Sequence, residues 1–158
     1  MMNFLWHDVL SDPDEYVKEI LDGFFMDVPD GDDTVFKGIQ PRSTDRLSSI
    51  VTSTFPQYSV EMNFVRKSPL NQEEPNFIHS DEMHGHKTLI LYLNKEYPEG
   101  YGTTLYDDND EPILIHKARY NSVFMFDSDV RHSRNIKENF GYGEGSRLVQ
   151  VMFLKFKG

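Results

Sequence analysis

Tyr58-Ser59-Val60-Glu61-Met62-Asn63-Phe64 is the stretch on which the reading of this fold turns. Apolar Tyr58, Val60, Met62 and Phe64 alternate with polar Ser59, Glu61 and Asn63, the period of two that marks a half-buried strand. Upstream the period is helical. Asp12-Pro13-Asp14-Glu15 offers an N-cap, a proline at the first helical position and a capping-box glutamate. Val17, Ile20, Leu21 and Phe24 follow at i, i+3, i+4 and i+7, one apolar stripe. A second helix is expected from about Thr44, with Leu47, Ile50, Val51 and Phe55 on one face before Pro56.

Downstream, strands are expected at 76–81, 87–93, 102–106, 113–116, 122–126, 130–135 and 147–156. Turn signals separate them at Asn71, Pro75, Pro98-Glu99-Gly100, 107–110 and 141–145. Short strands in series after two helices predict a mainly β chain, a sandwich or jelly roll with helices packed on one sheet. The 158 residues fit one domain, with 1–57 as helical support and 58–158 as the β core. No internal repeat or low-complexity stretch interrupts it.

Composition narrows the function. The formal net charge is −10, and the only basic cluster is Lys155/Lys157 near the end, so a nucleic-acid partner is not expected. No apolar run approaches the roughly 18 residues of a membrane span. The N-terminus lacks a basic region and a small-residue cleavage site, and a cytoplasmic location is expected. With no cysteine, any metal must be held by imidazole and carboxylate, which suit Fe, Mn, Ni, Cu or Zn. The acidic turn at 27–33 lacks the alternating ligands and late glutamate of a calcium-binding EF-hand loop.

His79-Ser80-Asp81 lies in an expected strand, where alternation turns His79 and Asp81 to one side and Ser80 to the other. An imidazole and a carboxylate one pleat apart can grip one metal ion. Alone, such a pair is weak, because short His/Asp pairs arise by chance in acidic chains and mostly mark a solvated strand end. His132, fifty-one positions after Asp81, supplies a second imidazole from a distant strand. Two histidines and one carboxylate leave three adjacent coordination positions open, which suits Fe(II). Arg147, fifteen positions further on, opens the strand RLVQVMFLKF and shares a face with Val149, Val151 and Phe153. A buried guanidinium needs a partner, and a bidentate carboxylate provides one; otherwise Arg147 is a surface residue at a strand start.

This arrangement resembles the 2-oxoglutarate/Fe(II)-dependent dioxygenases. The residues 87–94 (KTLILYLN) and Gly100-Tyr101-Gly102-Thr103-Thr104-Leu105-Tyr106 are similar to the T-x-x-x-Y-L-N and G-G-x-T-x-F patterns of the prolyl-4-hydroxylase-like branch. The glycine pair is matched loosely, and the strand before H-x-D lacks the branch's usual tyrosine. The resemblance implies a double-stranded β-helix, Fe(II) on His79, Asp81 and His132, and the distal carboxylate of 2-oxoglutarate on Arg147. It places Tyr92 among the co-substrate contacts, with Asn63 and Ser133 as weaker candidates. It further implies hydroxylation of an unactivated C–H of an amino-acid, peptidyl or small-molecule substrate, consuming O2 and releasing succinate and CO2.

Rival readings are a nucleic-acid demethylase of the same superfamily, a β-helix protein that binds without turnover, and a cupin-type enzyme without 2-oxoglutarate. The demethylases carry a second arginine six positions after the first, where this chain has Phe153. His84-Gly85-His86 has the H-x-H of a cupin, but the next acid is Glu96, too far for that pattern. Residues 82–86 are expected instead to form a loop over the mouth of the site. His7 and His116 are expected to be packed or solvated.

Overall fold

In the computed structural model, residues 3–30, 34–68, 78–135 and 145–158 are described. The turn expected at Asn71 and Pro75, the start of the strand expected at 76–81, residues 31–33 of the acidic turn and residues 141–144 of the last turn lie outside them. The chain runs β1 (Phe4–Trp6), α1 (Pro13–Leu21), β2 (Met26–Asp30), β3 (Thr34–Pro41), α2 (Arg46–Thr54) and β4 (Tyr58–Ser68). It continues with β5 (Lys87–Tyr92), β6 (Gly102–Tyr106), β7 (Pro112–Lys117), β8 (Ser122–Asp127), β9 (Arg131–Arg134) and β10 (Arg147–Phe156). No helix is long and apolar enough to cross a membrane among the described residues.

Two sheets result. The larger is seven-stranded in the order β1-β8-β5-β10-β4-β3-β2, and the smaller is β7-β6-β9. One face of the large sheet, bearing Leu89, Leu91, Val123, Met125, Leu148, Met152 and Leu154, buries α1 and α2 through Tyr16, Val17, Ile20, Leu47 and Val51. The other face, bearing Tyr92, Phe124, Phe126 and Val149, packs with Tyr101 and Leu105 of the small-sheet side. The molecule is therefore helices on sheet on sheet, a mainly β jelly roll.

The N-terminal segment differs from its expectation. It carries three strands besides its helices, and β1 and the β2–β3 hairpin lengthen both ends of the large sheet. The stripe of α1 stops short: the helix ends at Leu21, and Phe24 is exposed. Asp12 caps α1 without a side-chain bond, because its carboxylate is drawn 2.5 Å from Nη1 of Arg46 on α2. The reciprocal capping box sits on α2, between Asp45 and Ser48.

The strand at Tyr58–Phe64 is real, but its apolar residues do not share one face. Met62 pairs with Phe153 while Val60 pairs with Leu154, so Glu61 is an extra residue on β4. Such a bulge exchanges the faces on either side of it. Tyr58 and Val60 pack with the helices, and Met62 and Phe64 turn to the inter-sheet side beside Phe153.

Candidate metal centre

His79 and His132 are brought opposite each other by an isolated antiparallel bridge. The amide N–H of His79 donates to the His132 carbonyl at 3.0 Å, and that of His132 donates to the His79 carbonyl at 2.8 Å. Directly opposed residues project side chains to the same face, and the two imidazole centroids lie 4.4 Å apart. Asp81, one pleat on, is fixed by its N–H donating to the Ser128 carbonyl at 2.7 Å.

The three side chains converge. Nε2 of His132 lies 3.0 Å from Oδ2 of Asp81, and Nε2 of His79 lies 3.5 Å from Oδ1. One ligand atom from each lies within 4.8 Å of the others, the only such group among the described residues. Nδ1 of His132 is 3.0 Å from the Val130 carbonyl, an acceptor, so Nδ1 carries a proton and Nε2 is the ring atom turned to the group. Phe126 packs edge-on against the His132 ring at 4.7 Å. His132 and Asp81 are buried, whereas His79 keeps 40% of its side chain exposed and marks the open side.

Asp81 is held as a carboxylate. Burial pushes its pKa up, but the His132 hydrogen bond, the charges of His132 and His79, and a hydrogen bond from Thr88 outweigh it, and the net shift is downward. Thr88 Oγ1 donates to Asp81 Oδ2 at 3.1 Å and also sits 3.0 Å from Ser128 Oγ. An ionised, oriented carboxylate with two imidazole nitrogens is a donor set that fits a divalent metal of the first transition row.

Arg147 faces the same inter-sheet space from β10. It is buried, its Nη1 donates to Ser68 Oγ at 3.0 Å, and its guanidinium carbon stands 5.5 Å from the Tyr101 ring centroid. Its Nε is buried and has no hydrogen-bond partner among the described residues. A buried guanidinium with an orphaned donor fits an incoming carboxylate, which takes Nε and a neighbouring Nη together. Tyr92 lies on the same wall, paired with Val149, which is one pleat from Arg147. Its hydroxyl is 2.7 Å from Thr103 Oγ1 across the space, and burial pushes its pKa upward, so it stays a neutral phenol.

The other candidates separate. Asn63 is on the helix-side face, where its carbonyl oxygen accepts from Gln150 Nε2 at 2.7 Å, away from the triad. Ser133 points opposite to His132 and bonds the Tyr106 hydroxyl at 2.9 Å. His116 stacks on Phe124 with centroids 4.3 Å apart, and neither it nor His7 joins the triad. The loop at 82–86 is laced down. The His86 N–H donates to the Leu154 carbonyl at 2.7 Å, and the Ser128 N–H to the His86 carbonyl at 2.9 Å. The His84 ring stacks on Phe153 at 4.8 Å. A Cβ on Gly85 would stand 2.6 Å from the Leu154 carbonyl oxygen, so the backbone fits only without one. This segment is a fixed wall beside the site.

Sequence reasoning missed Thr88, Ser68 and Ser128. Thr88 was detectable as the polar member of the inward row Thr88, Ile90, Tyr92. Ser68 had no signal, because the alternation of β4 was followed only to Phe64.

No protein-family model matches the sequence, and no curated protein matches it. Solved structures do. A 2OG-Fe(II) oxygenase family oxidoreductase from Burkholderia pseudomallei aligns with TM-score 0.62 at 12% identity, over 96% of this chain and 84% of that one. The non-heme alpha ketoglutarate dependent epimerase SnoN from nogalamycin biosynthesis aligns with TM-score 0.66 at 13% identity, over 95% and 76%. The viral collagen prolyl hydroxylase of Paramecium Bursaria Chlorella virus-1 aligns with TM-score 0.59 at 12% identity, over 98% and 96%. Identities this low establish the fold alone. The chain therefore has the jelly-roll fold of 2OG-Fe(II) oxygenase structures, prolyl hydroxylases among them.

Proposed function

We propose that this single-domain chain is an Fe(II)- and 2-oxoglutarate-dependent dioxygenase that hydroxylates an unactivated C–H bond of an amino-acid, peptidyl or small-molecule substrate. One observation carries the reading. A two-histidine, one-carboxylate group and a buried arginine both border the apolar cluster between the sheets, His132 against Phe126 and Arg147 against Tyr101. When bound, the iron and 2-oxoglutarate supply the oxidising chemistry toward O2, with succinate and CO2 as the co-products.

The chain's own residues bind, orient and exclude water. His79, Asp81 and His132 would hold the metal. Thr88 and the Val130 carbonyl fix the Asp81 carboxylate and the His132 tautomer, respectively. Arg147, with Ser68 beside it, takes the distal carboxylate of 2-oxoglutarate, and the Tyr92–Thr103 pair lines its path. Phe124, Phe126 and Val149 keep that path apolar, which strengthens each charge contact within it.

The test is succinate formation from 2-oxoglutarate by the purified chain with Fe(II) in air, alone and with free amino acids or short prolyl peptides. Turnover that disappears in His79→Ala and in Arg147→Ala supports the proposal. Tight binding of 2-oxoglutarate with no succinate under any condition would identify a binding protein instead.

A further inference from the structure

The triad draws on both sheets. Asp81 is fastened to the large one, by the Ser128 carbonyl just after β8 and by the Thr88 hydroxyl of β5. His132 belongs to β9 of the small sheet, and His79 exchanges both of its backbone hydrogen bonds with His132. His79 also has the most exposed side chain of the three, 40% against 7% for His132 and 11% for Asp81. Whatever places the backbone entering His79 therefore places one imidazole relative to the other two groups.

Arg131 touches that backbone. It precedes His132 on β9, so its side chain leaves the strand on the opposite face. Its Nε is 2.6 Å from Asp110 Oδ1 and its Nη2 is 3.4 Å from Oδ2, a side-on pairing of guanidinium and carboxylate. The same Nη2 stands 3.5 Å from the carbonyl oxygen of Ile78, the residue before His79. One planar group thus joins the β6–β7 turn to the segment that enters the triad. Fixing its plane on Asp110 fixes where Nη2 points.

The turn is built to hold Asp110. The Asp107 N–H donates to the Glu111 carbonyl at 2.9 Å, and the Asp110 N–H donates to the Asp107 carbonyl at 3.1 Å. Oδ1 of Asp107 accepts from the N–H groups of Asn109 and Glu111 at 2.9 and 3.0 Å. Asp110 itself has φ +60°, in the left-handed region where glycine is the easier residue. Glycine there would leave Arg131 without its carboxylate.

We propose that Arg131, anchored by Asp110, is the positioning residue for His79, acting through the Ile78 backbone to set where that imidazole stands and hence how tightly the triad binds metal. This rests on the reading of the triad as a metal centre, yet the pair does its work in the metal-free chain.

Two measurements on the full chain test it. Amide exchange of the metal-free protein reads the positioning: Asp110→Asn and Arg131→Met are expected to lower protection of His79 and to leave Leu89 and Leu91 of the large sheet unchanged. Anaerobic titration with Co(II) reads the consequence. Affinity is expected to fall about fivefold in Asp110→Asn and about tenfold in Arg131→Met, from the strength of an exposed ion pair to the low end for an outer partner of a metal ligand. Arg131→Lys keeps the cation and should recover most of that loss. Asp108→Asn removes the same charge from the same turn and should bind Co(II) as the wild type does. Wild-type protection and affinity in both Asp110→Asn and Arg131→Met would overturn the proposal while leaving the triad a metal centre. An equal loss in Asp108→Asn would also overturn it, because charge alone would then account for the effect. A wild type that binds no Co(II) would remove the metal centre, and the proposal with it.

Discussion

Nε2 of His132 lies 3.0 Å from Oδ2 of Asp81, although fifty-one positions separate the two residues in the chain. The separation is closed by backbone pairing. The His79–His132 bridge fixes one side of the group, and the Asp81 N–H to Ser128 carbonyl bond fixes the other. Backbone pairing alone thus brings the three side chains together. Thr88 completes the group by bonding the same carboxylate oxygen that faces His132.

Thr88→Val keeps the shape and removes that bond. Loss of such an outer partner typically costs about 10–100-fold in metal affinity, and a loss in that range is expected. Anaerobic calorimetric titration with Fe(II) measures it. Affinity equal to the wild type would remove Thr88 from the account.

Arg147→Ala is expected to weaken 2-oxoglutarate binding by about 2–5 kcal/mol, at least roughly thirty-fold, as expected when one partner of a buried charge pair is lost. Arg147→Lys keeps the charge without the planar fork and should fall between. Ser68→Ala removes a neutral hydrogen-bond partner and should cost about 1 kcal/mol, roughly fivefold. Competition of 2-oxoglutarate against a fluorescent dicarboxylate probe ranks the three variants. An order with Ser68→Ala worst would contradict the assignment of Arg147 as the anchor.

The opposite face of β10 carries a buried polar network. The Tyr16 hydroxyl donates to Gln150 Oε1 at 2.7 Å, while Gln150 Nε2 donates to Asp45 Oδ2 at 3.0 Å and to Asn63 Oδ1 at 2.7 Å. Burial pushes the Tyr16 pKa up, so the donor stays protonated. Tyr16→Phe leaves Gln150 Oε1 without its donor and should destabilise by about 1–3 kcal/mol. For a domain of this size that lowers Tm by about 2–10 °C. An unchanged melt would show that the network contributes packing alone.

His116 gives the fold a pH dependence. Burial, with the charge of His7 behind it, lowers its pKa from 6.5 to about 4. The unfolded chain therefore binds the proton first. Stability from this group is complete above about pH 6.5 and is lost as pH falls toward 4. His116→Phe should lose less stability than the wild type between pH 7.5 and pH 5 in urea melts, as proton linkage requires. Equal losses would show that His116 is not the responsible group.

The triad and the fold class were legible in the sequence for the same reason. A period of two assigns faces, and His79 and Asp81 inherit one from Ser80's position between them. The burial of Arg147 was legible because an arginine heading an inward apolar row is chemically conspicuous. What stayed hidden depends on single inserted residues and on pairing. Glu61 leaves the alternation of β4 intact on paper while exchanging its faces in three dimensions. The β2–β3 hairpin lies at the sheet's edge, where Val35 and Phe36 are exposed and no buried face imposes a pattern. Asp12 matched a capping box by sequence, but Arg46, thirty-four positions away, competes for its carboxylate.

In the proposed function the triad and Arg147 form one co-substrate site. Anaerobic titration of the Fe(II)-loaded chain with 2-oxoglutarate, followed by visible absorption, tests it most directly. The expected result is the weak charge-transfer band of an iron-chelated 2-oxo acid. That band should saturate at one equivalent in the wild type, require His79 and His132, and need far more 2-oxoglutarate in Arg147→Ala. A wild-type chain that binds Fe(II) and shows no band at saturating 2-oxoglutarate would contradict it.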